Sequence, residues 1–169
     1  RAGGIEVTPP AIERGLADVS WPGRFQTIEN QKSKIKNPVI LDGAHNEAAA
    51  QRLALTWHEV FGGEKCVIIL GILKDKEMTA ICRALLPVAA AFVLLPVHSQ
   101  RTSQPEELQS ILRNLDPQVD CTLAAGFQEA LTIASLRPEK ILVTGSLFLV
   151  GEALSHFEEA GSKPEMSTQ

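Results

Sequence analysis

The pentapeptide at residues 42–46 combines an aspartate, a glycine, a histidine and an asparagine, residue types that can contact a charged ligand. The apolar run Val39–Leu41 before it predicts a short buried strand, and the amphipathic run after it predicts a helix whose N-cap is Asn46. Gly43 allows a tight turn or a close backbone approach. In open α/β sheets, anionic ligands and above all phosphates bind at such strand-to-helix turns. This stretch therefore predicts an anion-binding turn.

Further cations and donors follow other predicted turns and strands. They are the cations Arg24, Lys74, Lys76 and Arg101 and the hydroxyl of Ser146. We interpret the two lysines as solvated loop charges and Ser146 as a helix cap that can also contact a ligand. Charge-assisted contacts contribute about 1.5–3 kcal/mol each, whereas association costs at least about 4 kcal/mol. Two or three such contacts predict weak nucleotide affinity, so a second domain would have to supply the rest.

Short apolar runs alternate with amphipathic helical runs along most of the chain. The predicted parallel strands cover residues 39–41, 66–70, 92–97, 120–123 and 141–143. Strands that are apolar throughout are typical of parallel sheets covered by helices on both faces. The sequence therefore predicts an α/β, Rossmann-like, mostly parallel sheet of about six strands, with one antiparallel edge strand at 25–29. Right-handed crossovers place the carboxyl ends of the parallel strands, and hence the polar turns, on one edge.

The sequence makes specific predictions for two of the later helices. Ser103 with Glu106 has the spacing of a capping box, which predicts a helix start at this serine. The last helix is expected to pack through Leu147, Val150, Leu154 and Phe157.

Length and composition indicate a single globular domain. We assign 169 residues, of which 44% are hydrophobic and 21% charged, to one domain at 1–158 and a polar, disordered tail at 159–169. The net charge of −4 argues against binding to nucleic acid or an anionic membrane. Three cysteines without metal-ligand spacing indicate reduced thiols and a cytoplasmic location. Because the chain starts at Arg1, we interpret it as a piece of a longer protein.

Several common sites are not supported by the residue pattern. The chain has neither the Gly-x-Gly-x-x-Gly of a dinucleotide fold nor the Gly-x-x-x-x-Gly-Lys-Ser/Thr of a P-loop. No zinc-site spacing is present, so no metal ligands are assigned. Asp42, His45 and Ser146 suggest a hydrolase triad only superficially, because the acid and the histidine share one tight turn.

The motifs together resemble the C-terminal domain of the Mur ligase superfamily, and within it folylpolyglutamate synthase/dihydrofolate synthase. They are Trp-Pro-Gly-Arg at 21–24, Leu-Asp-Gly-Ala-His-Asn at 41–46, Gly-Ile-Leu-Lys-Asp-Lys at 71–76, Arg101, and Thr-Gly-Ser-Leu at 144–147. Gly43 stands where the cell-wall Mur enzymes typically carry Tyr. Glu47 and Phe148 depart from the family pattern, which usually has Pro and Tyr there.

The resemblance implies an ATP-dependent amide ligase in which a folate carboxylate becomes an acyl phosphate that the amine of glutamate attacks. ATP and Mg²⁺ would be held mainly by a preceding P-loop ATPase domain of the same parent protein, so the isolated chain is expected to be inactive. The resemblance implies that Asp42 and Asn46 contact the nucleotide. Arg24 and His45 would face its phosphates and act in catalysis, and Ser146 and Arg101 would bind glutamate.

Two alternatives stay open. One is a stand-alone Rossmann-like module that binds or senses a ligand, and the other is the C-terminal domain of a cell-wall Mur ligase, against which Gly43 argues. Within the folate enzymes, dihydrofolate synthase, folylpolyglutamate synthase and a combination of both remain open.

Overall fold

A computed structural model describes residues 7–17, 19, 21–29, 35–159 and 163–164. The helices are α1 (Pro9–Ala17), α2 (Glu47–Phe61), α3 (Met78–Leu85), α4 (Pro105–Leu115), α5 (Phe127–Ser135) and α6 (Leu147–Glu159). The strands are β1 (Gln26–Glu29), β2 (Val39–Leu41), β3 (Cys66–Leu70), β4 (Ala89–Leu94), β5 (Cys121–Leu123), β6 (Lys140–Thr144) and β7 (Lys163–Pro164). A 3₁₀ turn at Leu86–Val88 joins α3 to β4.

The strands form one mixed sheet in the order β5-β4-β3-β6-β2-β1-β7. β2 through β6 pair in parallel, whereas β1 is antiparallel to β2 on one side and to β7 on the other. The predicted Rossmann-like, mostly parallel sheet is confirmed, and the antiparallel strand predicted at 25–29 corresponds to β1, although the edge position on that side is occupied by β7. The two residues of β7 fall within the predicted tail, most of which lies outside the described residues. The boundaries predicted for the domain and the tail remain predictions.

Alternate residues of the parallel strands are buried on opposite faces of the sheet. One face carries residues such as Leu41, Ile69 and Val143 and is covered by α5 and α6. The other face carries residues such as Ile40 and Ile68 and is covered by α2, α3 and α4. Because helices cover both faces, the central strands are apolar at nearly every position, and the exceptions Lys140 and Thr144 lie at the two ends of β6.

The helix that follows the central turn begins as predicted. The side-chain oxygen of Asn46 accepts a hydrogen bond from the backbone N–H of Ala49 at 2.9 Å, so Asn46 is the N-cap of α2. No helix in the part of the chain that the structure describes is long and apolar enough to cross a membrane.

Two predictions about later helices are wrong. The helix α4 begins at Pro105, and Ser103 makes no capping box, because its buried hydroxyl donates to the carbonyl oxygen of Ile72 at 2.7 Å. In α6, Leu147 is 51% exposed instead of packed in the core. The buried side chains of α6 are Leu149, Val150, Ala153 and Phe157.

The connections reverse direction around β6. The segments that leave β2, β3 and β4 lead to helices on one face of the sheet, whereas the segment that leaves β6 leads to α6 on the other face. β6 lies between β3 and β2. Adjacent parallel strands whose connections diverge leave a crevice at their carboxyl ends, which is where open α/β sheets bind ligands.

Candidate functional site

The turns after β2, β6 and β3 lie side by side on one edge of the sheet and are joined by backbone hydrogen bonds. The N–H of Gly145 donates to the carbonyl oxygen of Ala44 at 3.0 Å, and the N–H of Gly71 donates to that of Thr144 at 3.4 Å. The prediction that the turn at 42–46 shares an edge with Ser146 is therefore confirmed.

Gly145 is required by the close approach of two of these turns. Its φ is +100°, a conformation that residues with a side chain rarely adopt. A Cβ at this position would lie 2.7 Å from the carbonyl oxygen of Gly71. A glycine at 145 thus permits the turns after β6 and β3 to touch.

A cleft of about 170 Å³ opens where these turns meet. Its lining residues are His45, Leu73, Lys76, Arg101, Gly145, Ser146, Leu147 and Phe148. Three of the predicted site residues, His45, Arg101 and Ser146, therefore line one cleft. Its charged lining is cationic, so the cleft is suited to an anionic ligand.

The backbone of its own turn fixes the ring of His45. The Nδ1 atom lies 2.8 Å from the carbonyl oxygen of Gly43. Since a carbonyl oxygen can only accept, this hydrogen bond requires a proton on Nδ1. The second ring nitrogen, Nε2, is left for a ligand in the cleft.

One carboxylate faces both cations of the cleft. The Oδ2 atom of Asp75 lies 3.3 Å from Nη1 of Arg101 and 3.5 Å from Nζ of Lys76. The side chain of Arg101 is 59% exposed and that of Lys76 is 30% exposed. Lys74 is exposed, as interpreted from the sequence, whereas Lys76, which was interpreted in the same way, lines the cleft. The sequence signal for this placement is the position of Lys76 after β3 on the shared edge.

Ser146 is buried at the start of α6. Its Oγ accepts a hydrogen bond from the N–H of Phe148 at 3.2 Å, so it caps the helix as the sequence suggested. Because Oγ acts only as acceptor in that contact, its own O–H can donate to a ligand.

Asp42 and Arg24 lie beside the cleft and do not line it. The carboxylate of Asp42 accepts hydrogen bonds from the N–H groups of Phe25 at 2.9 Å and Ala44 at 2.8 Å. Burial raises the pKa of Asp42 above its ordinary value, while these hydrogen bonds and the charge of Arg24 act in the opposite direction.

The guanidinium of Arg24 is bounded by an aromatic ring and by a glycine. Its Cζ lies 5.5 Å from the centroid of the Trp21 ring, a cation–π distance. A Cβ at Gly43 would lie 3.6 Å from its Nη1 and 2.3 Å from Cδ2 of Leu147. The predicted close approach at Gly43 is thus present, and it is the side chains of Arg24 and Leu147 that approach.

The donor set suits phosphate groups better than a metal ion. Among the described residues, no group of three or more His, Cys, Asp or Glu side chains is placed to hold a metal. Mg²⁺ is bound by several carboxylate and other oxygen ligands, whereas the Asp75 carboxylate beside the cleft is already paired with Lys76 and Arg101. The ammonium of Lys76 and the guanidinium of Arg101 instead suit negatively charged oxygens.

The sequence profile of the family described as Mur ligase, glutamate ligase domain matches residues 23–147. The chain belongs to this family. It is 32% identical over 158 residues to a probable bifunctional folylpolyglutamate synthase/dihydropteroate synthase of Haloferax volcanii, covering 92% of this chain and 18% of that protein. It is 28% identical to the dihydrofolate synthase/folylpolyglutamate synthase of Bacillus subtilis, covering 86% of this chain and 33% of that one.

A solved structure of folylpolyglutamate synthase from Mycobacterium tuberculosis, complexed with ADP and AMPPCP, superposes with a TM-score of 0.77 at 26% identity. The match covers 95% of this chain and 37% of that chain. This Mur ligase domain therefore spans well under half the length of these relatives and corresponds to their C-terminal region.

Proposed function

We propose that this domain is part of an ATP-dependent ligase that joins L-glutamate to a folate. The observation that carries the proposal is the cationic cleft of a Mur ligase glutamate ligase domain, in which Lys76, Arg101, His45 and Ser146 converge. The relatives are folylpolyglutamate and dihydrofolate synthases, and some were crystallised with ADP or its analogues.

Glutamate fits the cleft through its two carboxylates. Arg101 can bind one of them bidentately and Lys76 can bind the other as a point charge. The O–H of Ser146 adds a directed hydrogen bond. In this arrangement Arg101 and Ser146 keep the roles predicted from the sequence, and Lys76 joins them.

His45 and Arg24 are the groups that we assign to the phosphates. In the proposed reaction a folate carboxylate becomes an acyl phosphate, the amine of glutamate attacks its carbonyl carbon, and phosphate leaves. Negative charge develops on oxygens during these steps, and fixed donors stabilise it. The guanidinium of Arg24 would supply such donors, and Nε2 of His45 would do so as part of an imidazolium, in which both ring nitrogens carry a proton.

Asp42 and Asn46 are assigned to the nucleotide. Each oxygen of the Asp42 carboxylate accepts one backbone hydrogen bond and can accept a second from a ribose hydroxyl. Asn46 lies at the N-terminus of α2, where free N–H groups favour an anion.

ATP and Mg²⁺ would be held mainly by a P-loop ATPase domain of the same parent protein, because the sequence of this chain contains no P-loop motif. The isolated chain should therefore turn over no ATP and bind nucleotide weakly. We also propose a reducing compartment such as the cytoplasm, which agrees with the free Cys66, Cys82 and Cys121.

The decisive experiment measures ADP release by the parent protein with glutamate and a folate, and with UDP-sugar precursors in place of folate. Glutamate-dependent release with folate supports the proposal, whereas release only with the UDP-sugar would assign the domain to a cell-wall ligase. Wild-type turnover in a parent protein carrying Arg24→Ala and His45→Ala would contradict the roles of these residues. Micromolar binding of ADP or glutamate to the isolated chain would favour a stand-alone binding module.

A further inference from the structure

The turn that carries Arg24 is hydrogen-bonded on both sides of this residue to the turn that follows β2. On one side, the carbonyl oxygen of Gly23 accepts from the N–H of Gly43 at 2.9 Å. On the other side, the N–H of Phe25 donates to Oδ2 of Asp42 at 2.9 Å. The backbone on either side of Arg24 is therefore anchored to two consecutive residues.

Phe25 has a backbone conformation that needs such an anchor. Its φ is +42°, in the left-handed region that an aromatic residue seldom enters. Strained conformations of this kind persist only where the surroundings impose them. Here the N–H of Phe25 is held by its hydrogen bond to the carboxylate of Asp42. The ring of Phe25 packs against Trp57 and Phe61 with centroid distances of 6.2 Å and 6.1 Å.

The carboxylate of Asp42 is itself held in place. Its other oxygen, Oδ1, accepts from the N–H of Ala44 at 2.8 Å, which ties the carboxylate to its own turn. Because both oxygens of a carboxylate are acceptors, Asp42 satisfies the N–H groups of Phe25 and Ala44 at the same time. Asparagine has the same shape but replaces one acceptor by an NH₂ donor, so it can satisfy only one of them.

We infer that Asp42 is a positioning residue, which fixes the guanidinium of Arg24 between Trp21 and Gly43 by holding the strained backbone at Phe25. The inference rests on the proposed function only for what Arg24 does in the reaction. It adds to the assigned nucleotide contact a role that acts through the protein backbone.

The first test uses NMR on the isotopically labelled 169-residue chain and needs no catalytic activity. The side-chain protons of Arg24 should show upfield ring-current shifts from Trp21, and Asp42→Asn should reduce these shifts by half or more. Glu47→Gln is the matched control, because it makes the same acid-to-amide change on an exposed residue of α2 and should leave the shifts in place. Unchanged Arg24 shifts in a folded Asp42→Asn chain would overturn the inference.

The wild-type chain gives a measurement that does not depend on the folding of a variant. The amide hydrogens of Phe25 and Ala44 should exchange with solvent at least tenfold more slowly than the same amides in an unstructured chain of this sequence. Exchange of the Phe25 amide at the unprotected rate would show that the anchor is absent.

A double-mutant cycle in the parent protein separates positioning from direct ligand contact. If Asp42 positions Arg24, adding Asp42→Asn to Arg24→Ala should change kcat at saturating ATP by less than twofold, because loss of the assigned nucleotide contact then raises only the KM for ATP. Losses that multiply would show that Asp42 acts independently of Arg24 and would overturn the inference. A parent protein without ligase activity would refute the proposed function and leave the NMR result to decide on positioning.

Discussion

Nδ1 of His45 and the carbonyl oxygen of Gly43 lie 2.8 Å apart, within a single turn of the chain. The protein therefore uses its own backbone to fix the proton on Nδ1 and the plane of the ring. Nε2 is the nitrogen left for chemistry, and its position is set before a ligand arrives. A group that is preorganised in this way needs no rearrangement when charge develops in a reaction.

Replacing His45 by alanine in the parent protein should lower kcat by about 10²–10³-fold, the usual effect of removing one preorganised group that stabilises developing charge. The measurement is steady-state ADP release at saturating glutamate and folate. His58→Ala removes an exposed imidazole on α2 and is the control. An unchanged kcat for His45→Ala would refute the catalytic role.

Asp75 competes with any anion for the cations of the cleft, because one of its oxygens pairs with both Arg101 and Lys76. Asp75→Asn should lower the KM for glutamate about two- to fivefold, since exposed ion pairs contribute about 0.2–1 kcal/mol. The effect should shrink at high salt. Glu59→Gln, which breaks an exposed pair with Arg52, is the charge-matched control. A raised KM would show instead that Asp75 holds the cations ready for glutamate.

Three glycine-to-alanine variants should differ in stability in a fixed order. Gly145→Ala should lower the free energy of unfolding by at least about 2 kcal/mol, because its Cβ meets the backbone of Gly71 at a positive φ. Gly43→Ala should cost no more than about 1.5 kcal/mol, because the exposed Leu147 can change rotamer. Gly151→Ala, in α6 with nothing within 4 Å, should stabilise by about 0.5–1 kcal/mol. Urea denaturation followed by circular dichroism measures all three, and a different order would contradict the clash argument.

Alkylation should modify Cys121 before the other thiols, but slowly at neutral pH. Burial raises the pKa of Cys121 to about 11 and that of the more deeply buried Cys82 to about 12. The thiolate is the reactive form, and a raised pKa lowers its population at pH 7. The rate for Cys121 should therefore rise about tenfold per pH unit from pH 7 to 10. Mass spectrometry after iodoacetamide treatment gives the rates, with Cys121→Ser as control. Rapid labelling at pH 7 would contradict the burial of this thiol.

The edge of the sheet that carries the cleft was predictable because it depends on local periodicity and on one rule of handedness. Apolar runs of strand length alternate with helical runs, and right-handed crossovers bring the ends of all parallel strands to one side. His45, Arg101 and Ser146 were expected together on that reasoning. They line one cleft in the structure.

Contacts between distant segments were not predictable in the same way. The bond from Phe25 to Asp42 exists because β1 pairs with β2 in the register that places Gln26 opposite Leu41. No local pattern in either segment encodes that choice. The sequence therefore suggested a ligand contact for Asp42 and gave no sign that both its oxygens accept backbone hydrogen bonds.

Ser103 shows how tertiary contacts override a local signal. Its spacing to Glu106 fits a capping box, yet its hydroxyl donates to the carbonyl of Ile72. That carbonyl also accepts from the N–H of Ser103, next to the bridge between Leu73 and Thr102. The same bridge draws the loops after β3 and β4 together, which explains why Lys76 and Arg101 share the cleft.

The hydrogen bonds that join Ala44 to Gly145 and Thr144 to Gly71 have a mechanical consequence. Because each turn is hydrogen-bonded to its neighbour, we expect the turns after β2, β6 and β3 to move together. If the parent protein alternates between open and closed conformations, the cleft formed by these three turns should therefore move as a rigid body. A ligand bound in the cleft would then keep the orientation that the three turns impose on it.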